Sequence, residues 1–256
     1  MSVKGVRLER LTWDEAEPVL AAKPVIVVPV GAATKEHGLH LPLETDRLQA
    51  EYLTERVLER LPVVALPIVA YGYYPAFAEY PGSINIRLEA FRDTVIDIAK
   101  SLARHGPDRV YVLNTGISTI WALEPARQAL SKSGVLLEYT DLHRTAREAR
   151  DGLSTQPDGS HADELETSVM LAIAPERVQL ERARPDLEGS RSAGPLTRNP
   201  DGPGHYSPTG AWGDPTLATA EKGRALLSAL VEAIVQEILD LQCDDYVPDP
   251  PRKQYL

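Results

Sequence analysis

Residues 25–46 read VIVVPVGAATKEHGLHLPLETD, and this stretch decides the fold. The run VIVVPV at 25–30 is continuously apolar and rich in β-branched residues, which is typical of a strand buried on both faces of a sheet. Residues 35–46 follow it closely and carry two histidines among several charged side chains. A buried strand that is followed by so many side chains able to bind a metal predicts a functional site at its carboxyl end.

Similar apolar runs alternate with amphipathic patterns along the rest of the chain. Further strands are predicted at VVALPIV (63–69), RVYVLN (109–114) and VLLEYTD (135–141), and helices at 45–61, 88–104, 119–132, 162–174 and roughly 216–241. This alternation indicates an α/β fold with a mainly parallel sheet covered by helices on both faces. We expect one domain over residues 1–256, with a long loop or arm at 178–215 and a Pro-rich tail at 242–256.

The composition argues against several classes of binding partner. The chain has 256 residues and a formal net charge of −10, so it is poorly suited to bind nucleic acid or an anionic membrane surface. The first residues have no apolar core of the kind found in signal peptides, and no stretch approaches a membrane span. The single cysteine, Cys243, excludes an internal disulfide and a zinc site made of thiolates. We therefore expect a cytoplasmic protein without nucleic-acid or membrane partners.

The loops after the predicted strands are expected to meet. Ligands of parallel α/β sheets bind beyond the carboxyl ends of the strands. This rule brings together residues 35–46, the segment YGYYPAFAEYPGS (71–83) and NTGIST (114–119). The segment DGSHADELETS (158–168), which enters a predicted helix, could reach the same edge.

The first of these loops has the composition of a metal site. His37 lies next to Glu36 and nine residues before Asp46, and imidazole together with carboxylate suits Zn²⁺, Mn²⁺ or Fe²⁺. Alternatives remain open at this point. His37 and His40 could be hydrogen-bonded loop histidines, Asp46 could be a first-turn acid on a helix dipole, and Lys35 is expected to be solvated.

The segment before the fourth predicted helix, at 162–174, offers a further candidate histidine, His161. Ser160 is the expected N-cap, which places His161 in the first turn and Glu164 one turn later on nearly the same, inward-pointing face. Glu166 falls away from that face, and without a site it would be a surface charge.

Other catalytic motifs are absent from the sequence. There is no glycine-rich nucleotide motif after a strand. GIST at 116–119 lacks the closing glycine of a nucleophile elbow, so Ser118 is a weak candidate for a nucleophile.

Four stretches, in this order, resemble the creatininase family. They are PVGAATKEHGLHLPLETD (29–46), YPGSINI (80–86), DGSHADELETSVML (158–171) and SPTGAWGDPTLATAEKG (207–223). The resemblance implies a three-layer α/β/α sandwich that assembles into a homohexamer. It also implies a divalent metal centre of one or two ions per subunit, with zinc preferred over manganese or iron. The implied reaction is hydrolysis of an amide C–N bond, cyclic in many relatives, in a small molecule; opening of a cyclic keto-sugar or a lactone is the alternative.

The resemblance also implies roles for individual residues. Glu36, His37, Asp46 and Glu164 match metal ligands, with Asp46 as the bridging carboxylate. His161 and Glu166 match catalytic positions, with His161 expected to handle protons. Residues expected to contact substrate are His40, Tyr74, Phe77, Ser118 and Trp212, although Trp212 could equally be plain core.

One departure from the family pattern concerns the loop after the third strand. Relatives have a histidine there that binds the second metal, whereas this chain has NTGIST at 114–119. The sequence is therefore compatible with a one-ion site, and also with a non-catalytic member that has lost a ligand.

Overall fold

A computed structural model describes residues 4–187 and 195–247. The strands are β1 (Val6–Arg7), β2 (Ile26–Val30), β3 (Val64–Ala65), β4 (Arg109–Asn114), β5 (Leu136–Tyr139), β6 (Leu196–Thr197) and β7 (His205–Tyr206). The helices are α1 (Trp13–Ala21), α2 (Thr45–Arg60), α3 (Leu88–Ala103), α4 (Ile120–Ser131), α5 (Arg147–Leu153), α6 (Glu164–Ile173) and α7 (Ala220–Gln242).

The main sheet is parallel and has the order β1-β3-β2-β4-β5. Strand β2 lies at its centre, with Ile26 opposite Val64 of β3 and opposite Val110 of β4. All five residues of β2 are buried, as its uninterrupted apolar run predicts. The expected parallel α/β architecture is confirmed.

Alternate residues of β2 enter two separate hydrophobic cores. Val27 packs in a core that includes side chains of α2, α6 and α7, and Ile26 packs in a core that includes side chains of α1, α3 and α4. Burying each such side chain contributes about 1.5–3 kcal/mol to folding. The protein is therefore the expected three-layer α/β/α sandwich.

The strand order creates a crevice at the carboxyl end of β2. The chain first adds β3 on one side of β2 and then crosses to add β4 on the other side. The connections leaving β2 and β4 therefore diverge, and such a switch point is where open α/β sheets bind ligands. Residues 31–44 and 115–119 border this crevice.

A glycine lets α2 begin against the end of β2. A Cβ atom at Gly31 would lie 2.5 Å from the carbonyl oxygen of Asp46 in the first turn of α2. Any larger residue would push the helix start away from the sheet. This close approach helps to hold the Asp46 side chain where it has no solvent exposure.

The predicted arm at 178–215 has more structure than its composition suggests. Its described part contains the parallel pair β6 and β7, and residues 188–194 lie outside the described residues. Of the predicted tail at 242–256, residues 248–256 also lie outside them. Across the part of the chain that is described, no helix is long and apolar enough to cross a membrane.

Candidate metal centre

A cavity of about 160 Å³ lies between the loops that follow β2 and β4. Four of the five predicted substrate-contact residues line it, namely Tyr74, Phe77, Ser118 and Trp212. The cavity also receives Lys35, His161 and Glu166, so charged and aromatic groups share one small space.

Three side chains at this cavity form a group that could hold a metal ion. One ligand atom each from His37, His161 and Glu166 lies within 4.8 Å of the others. His37 Nε2 is 3.6 Å from Glu166 Oε1, and His161 Nδ1 is 3.8 Å from Glu166 Oε2. These gaps are long for direct hydrogen bonds, whereas two atoms bound to one tetrahedral zinc lie about 3.4 Å apart. The spacing of the three groups therefore fits one shared ion.

The hydrogen bonds of His37 support this fit. Its Nδ1 lies 2.9 Å from the carbonyl oxygen of Lys35, which can only accept, so Nδ1 carries the proton. In a neutral imidazole Nε2 then presents a lone pair, yet it faces Asp46 Oδ1 at 3.0 Å. Two lone pairs at that distance repel each other unless a proton or a metal ion lies at Nε2.

His161 is oriented by a carboxylate. Its Nε2 lies 2.7 Å from Glu36 Oε1, and its ring packs 4.3 Å from the Phe77 ring. The second oxygen of Glu36 accepts from the Gly38 amide, and Gly210 packs so closely there that a Cβ would come 2.2 Å from that oxygen. A histidine held through one nitrogen by a carboxylate offers the other nitrogen to a metal. Glu36 thus contacts a candidate ligand and is not one of the three clustered groups.

The electrostatics of the site favour charged forms. Burial opposes ionisation of Asp46, but the Lys35 ammonium, with help from His37, outweighs it and lowers the pKa of Asp46. Burial alone would lower the pKa of His161, but the Glu36 carboxylate outweighs it and raises that pKa. Burial opposes ionisation of Glu166 too, yet His37 and His161 hold its pKa below the usual value. The site therefore keeps Asp46 and Glu166 ionised and attracts a cation.

The expectation that Lys35 is solvated is wrong. The residue is only 4% exposed, and its Nζ lies 2.8 Å from Asp46 Oδ2. The charge of Lys35 alone indicated a surface position. Its burial is tolerable because it pairs with Asp46, which lies eleven positions further along the chain.

The structure places Glu164 away from the cluster and Glu166 within it. Helix α6 begins two residues later than predicted, and Asp163, rather than Ser160, is its N-cap, accepting from the Glu166 amide. Ala162 has a φ of 46°, so the chain turns sharply just before the helix. Glu164 consequently pairs with Lys222 and accepts from the amides of Thr155 and Gln156. Its predicted role as a metal ligand does not match this placement.

His40 lies behind the cavity wall and does not line it. Its Nε2 is 2.8 Å from the Thr167 hydroxyl, and burial lowers its pKa to about 4. This neutral, hydrogen-bonded histidine holds the loop after β2 against α6. The predicted substrate contact does not fit that position.

The turn NTGIST after β4 satisfies its own polar groups. The Asn114 side chain accepts from the Gly116 amide and the Thr119 hydroxyl and donates to the Gly116 carbonyl. The Thr115 hydroxyl lies 3.1 Å from the Val30 and Asp46 carbonyl oxygens. The described turn thus offers the cluster no imidazole or carboxylate, and its Ser118 lines the cavity.

The arm supplies cavity residues that the sequence did not identify. His205 and Leu196 line the cavity, and the His205 ring stacks on Trp212 at a centroid distance of 4.9 Å. Trp212 also forms an antiparallel bridge with His161, because its amide donates to the His161 carbonyl. No periodic pattern in residues 178–215 could have indicated these contacts.

Comparisons with known proteins show the family to which the chain belongs. The sequence model of the family described as creatininase, creatinine amidohydrolase, matches residues 9–238. The mycofactocin precursor peptide peptidase of Mycobacterium tuberculosis (strain CDC 1551 / Oshkosh) is 32% identical over 85% of this chain and 86% of its own. The creatinine amidohydrolase of Pseudomonas putida is 28% identical over 92% of this chain and 96% of its own.

Solved structures of creatininases share the fold of this chain. A crystal structure of creatinine amidohydrolase superposes with a TM-score of 0.77 at 25% identity, over 96% of this chain and all of that one. Neighbouring structures include a mutant creatininase of the Zn-Zn type and a manganese form. With the family model spanning most of its length, the chain belongs to the creatininase family of hydrolytic enzymes.

Proposed function

We propose that this protein is a metal-dependent hydrolase that uses water to cleave the C–N bond of an amide in a small molecule. The observation that carries the proposal is the convergence of His37, His161 and Glu166 on one point at the cavity. Zn²⁺ is the proposed ion, with Mn²⁺ and Fe²⁺ as alternatives, because the donors are nitrogen and oxygen.

Three residues would hold the ion and two would fix their geometry. His37, His161 and Glu166 are the proposed ligands. The Lys35 carbonyl orients the ring of His37, and the Glu36 carboxylate orients that of His161. A divalent ion bound there would supply Lewis acidity, lowering the pKa of water to about 7 and polarising a carbonyl.

Each proposed ligand would offer one atom to the ion, so the second carboxylate oxygen of Glu166 is the proposed proton acceptor. Glu166 is the acidic side chain among the described residues that line the cavity, and its pKa is held low enough to keep it ionised at neutral pH. A carboxylate in this position can take a proton from an attacking water, an effect worth roughly 10²–10⁴ in rate. We assign His161 to metal binding rather than to proton transfer, because Glu36 already occupies its Nε2.

The cavity walls support an amide over a keto-sugar. Tyr74, Phe77, Leu196 and Trp212 make much of the wall apolar, and the volume of about 160 Å³ suits a small group. Such walls suit the apolar part of an amide substrate, while the polar groups of the cavity lie around the clustered side chains. The names of the two relatives above, a peptidase and an amidohydrolase, both describe proteins that cleave C–N bonds.

Metal analysis of the purified protein tests the proposal. The protein is stripped with a chelator, reloaded with Zn²⁺ and compared with His37→Ala and with His105→Ala, a control at an exposed histidine. Each is assayed on creatinine, on short peptides and on a cyclic keto-sugar. Bound zinc and amide hydrolysis, both lost in His37→Ala and kept in His105→Ala, support the proposal. Wild-type protein that neither binds metal nor cleaves an amide would contradict it.

A further inference from the structure

Lys35 is the one buried lysine among the described residues, and it lies inside the candidate centre. Its ammonium forms an ion pair with Asp46 Oδ2 at 2.8 Å and lies 4.6 Å from the centre of the Phe77 ring and 5.7 Å from that of Tyr74. The aromatic faces and the carboxylate stabilise a positive charge at this point. The fold therefore maintains a cation position beside Asp46.

The two oxygens of Asp46 face two different cation positions. Oδ1 faces His37 Nε2 at 3.0 Å, on the side of the three clustered groups. Oδ2 faces the Lys35 ammonium. A carboxylate that bridges two metal ions offers one oxygen to each, and here the ammonium already holds one of the two oxygens.

The charge balance of the site also allows only one divalent ion. Three carboxylates lie here, those of Glu36, Asp46 and Glu166, and Lys35 offsets one of them. The remaining two negative charges are neutralised by one divalent ion. A second divalent ion would leave uncompensated positive charge in a buried site, which is strongly unfavourable.

We propose that the Lys35 ammonium takes the place of a second metal ion at Asp46, so that the centre consists of one metal ion and one lysine. This inference rests on the proposed function for the ion at His37, His161 and Glu166, and concerns the other half of the site. Lys35 also lines the cavity, so its ammonium supplies a second positive charge to a substrate oxygen, in the manner of a preorganised donor.

The test counts zinc ions per chain by elemental analysis and by calorimetric titration. It compares the wild type with Lys35→Gln, which removes the charge, and with Lys35→Glu, which adds a ligand. The matched control is Lys222→Gln, because Lys222 also pairs with a buried carboxylate, that of Glu164, but outside the cavity. All proteins are refolded in excess Zn²⁺ and desalted before counting.

We expect about one ion per chain in the wild type and in Lys222→Gln, and about two in Lys35→Glu, with at least partial second occupancy in Lys35→Gln. A wild type that binds about two ions with Lys35 intact overturns the inference. So does a Lys35→Glu protein that stays at one ion or does not regain its fold in Zn²⁺. A wild-type protein that binds no metal would contradict the proposed function instead. Even then, a gain of zinc in Lys35→Glu over the wild type would support the role of Lys35 at the second position.

Discussion

His161 Nε2 and Glu36 Oε1 lie 2.7 Å apart, although 125 residues separate them in the chain. This contact joins the loop after β2 to the start of α6, two segments that the sheet order brings to one edge. It fixes which nitrogen of His161 faces the cluster. The two segments thus form one site rather than two neighbouring loops.

We expect Glu36→Gln to weaken zinc binding by about 10–100-fold, because the neutral amide supports His161 less well than a carboxylate does. Competition titration with a zinc chelator measures this affinity. Glu44→Gln is the matched control, since Glu44 lies on the same loop but pairs with Arg47 near the surface. Equal affinities for the two variants would show that Glu36 does not support His161.

Glu164 gives a prediction for pH dependence. Burial opposes its ionisation, but Lys222, Thr155 and the amide donors outweigh this and lower its pKa. A lowered pKa in the folded state contributes stability above the unfolded pKa, and this contribution is lost as the pH falls through the folded value. We expect Glu164→Gln to cost about 1–3 kcal/mol at neutral pH.

That difference should shrink as the pH falls below about 4.5, because the Glu164 carboxyl protonates first in the unfolded state and, at lower pH, in the folded state as well. Urea denaturation of both proteins across the acid range measures it. In the folded state at neutral pH, Glu164→Gln should keep its zinc. Loss of zinc in Glu164→Gln would restore Glu164 to the ligand role that the sequence resemblance implied.

We expect Gly31→Ala to destabilise the fold by about 1–3 kcal/mol, because the new methyl group would displace the first turn of α2. Metal binding should weaken too, because Asp46 in that turn contacts the proposed ligand His37. Gly152→Ala is the control, since a Cβ there meets no neighbour within 4 Å and the residue lies in helix α5. That control should be neutral or stabilising by up to about 1 kcal/mol. Thermal and urea denaturation compare the two, and an equal response would mean that the close approach at Gly31 is unimportant.

A buried ionic network away from the cavity should matter for stability alone. Arg127 donates to Glu124 and to Glu138, all three buried, and Tyr139 donates to the same Glu124. Arg127→Met removes a buried cation that pairs with both carboxylates and should cost about 3–5 kcal/mol. The control Arg224→Met removes an exposed pair with Glu221 and should cost about 0–1 kcal/mol. If folded Arg127→Met binds a different amount of metal from the wild type, this network is not independent of the candidate metal centre.

The architecture was predictable because strands that are buried on both faces have a distinct local composition. The run at 25–30 is apolar at every position, and only a central strand of a parallel sheet buries both faces. Once the strands are known to be parallel, the meeting of the loops at 35–46, 71–83 and 114–119 follows from geometry. β1 and α1 carry weaker patterns and were not predicted.

The assignment of individual site residues was less predictable, for identifiable reasons. The choice between Glu164 and Glu166 depended on where α6 begins, and the positive φ of Ala162 cannot be seen in a helical pattern. The burial of Lys35 depended on Asp46, a partner reached only through the fold. The roles of His40 and His205 depended on Thr167 and Trp212, which lie far away in sequence. The implied hexamer stays a prediction.

The backbone bridge between Trp212 and His161 links selectivity to turnover. The Trp212 amide donates to the His161 carbonyl at 2.8 Å, and the Trp212 side chain lines the cavity. A substrate too bulky for the cavity must push on this wall, and the wall would carry the histidine with it. An ill-fitting substrate would then bind and yet turn over slowly, so discrimination by size would be seen in kcat and not only in KM.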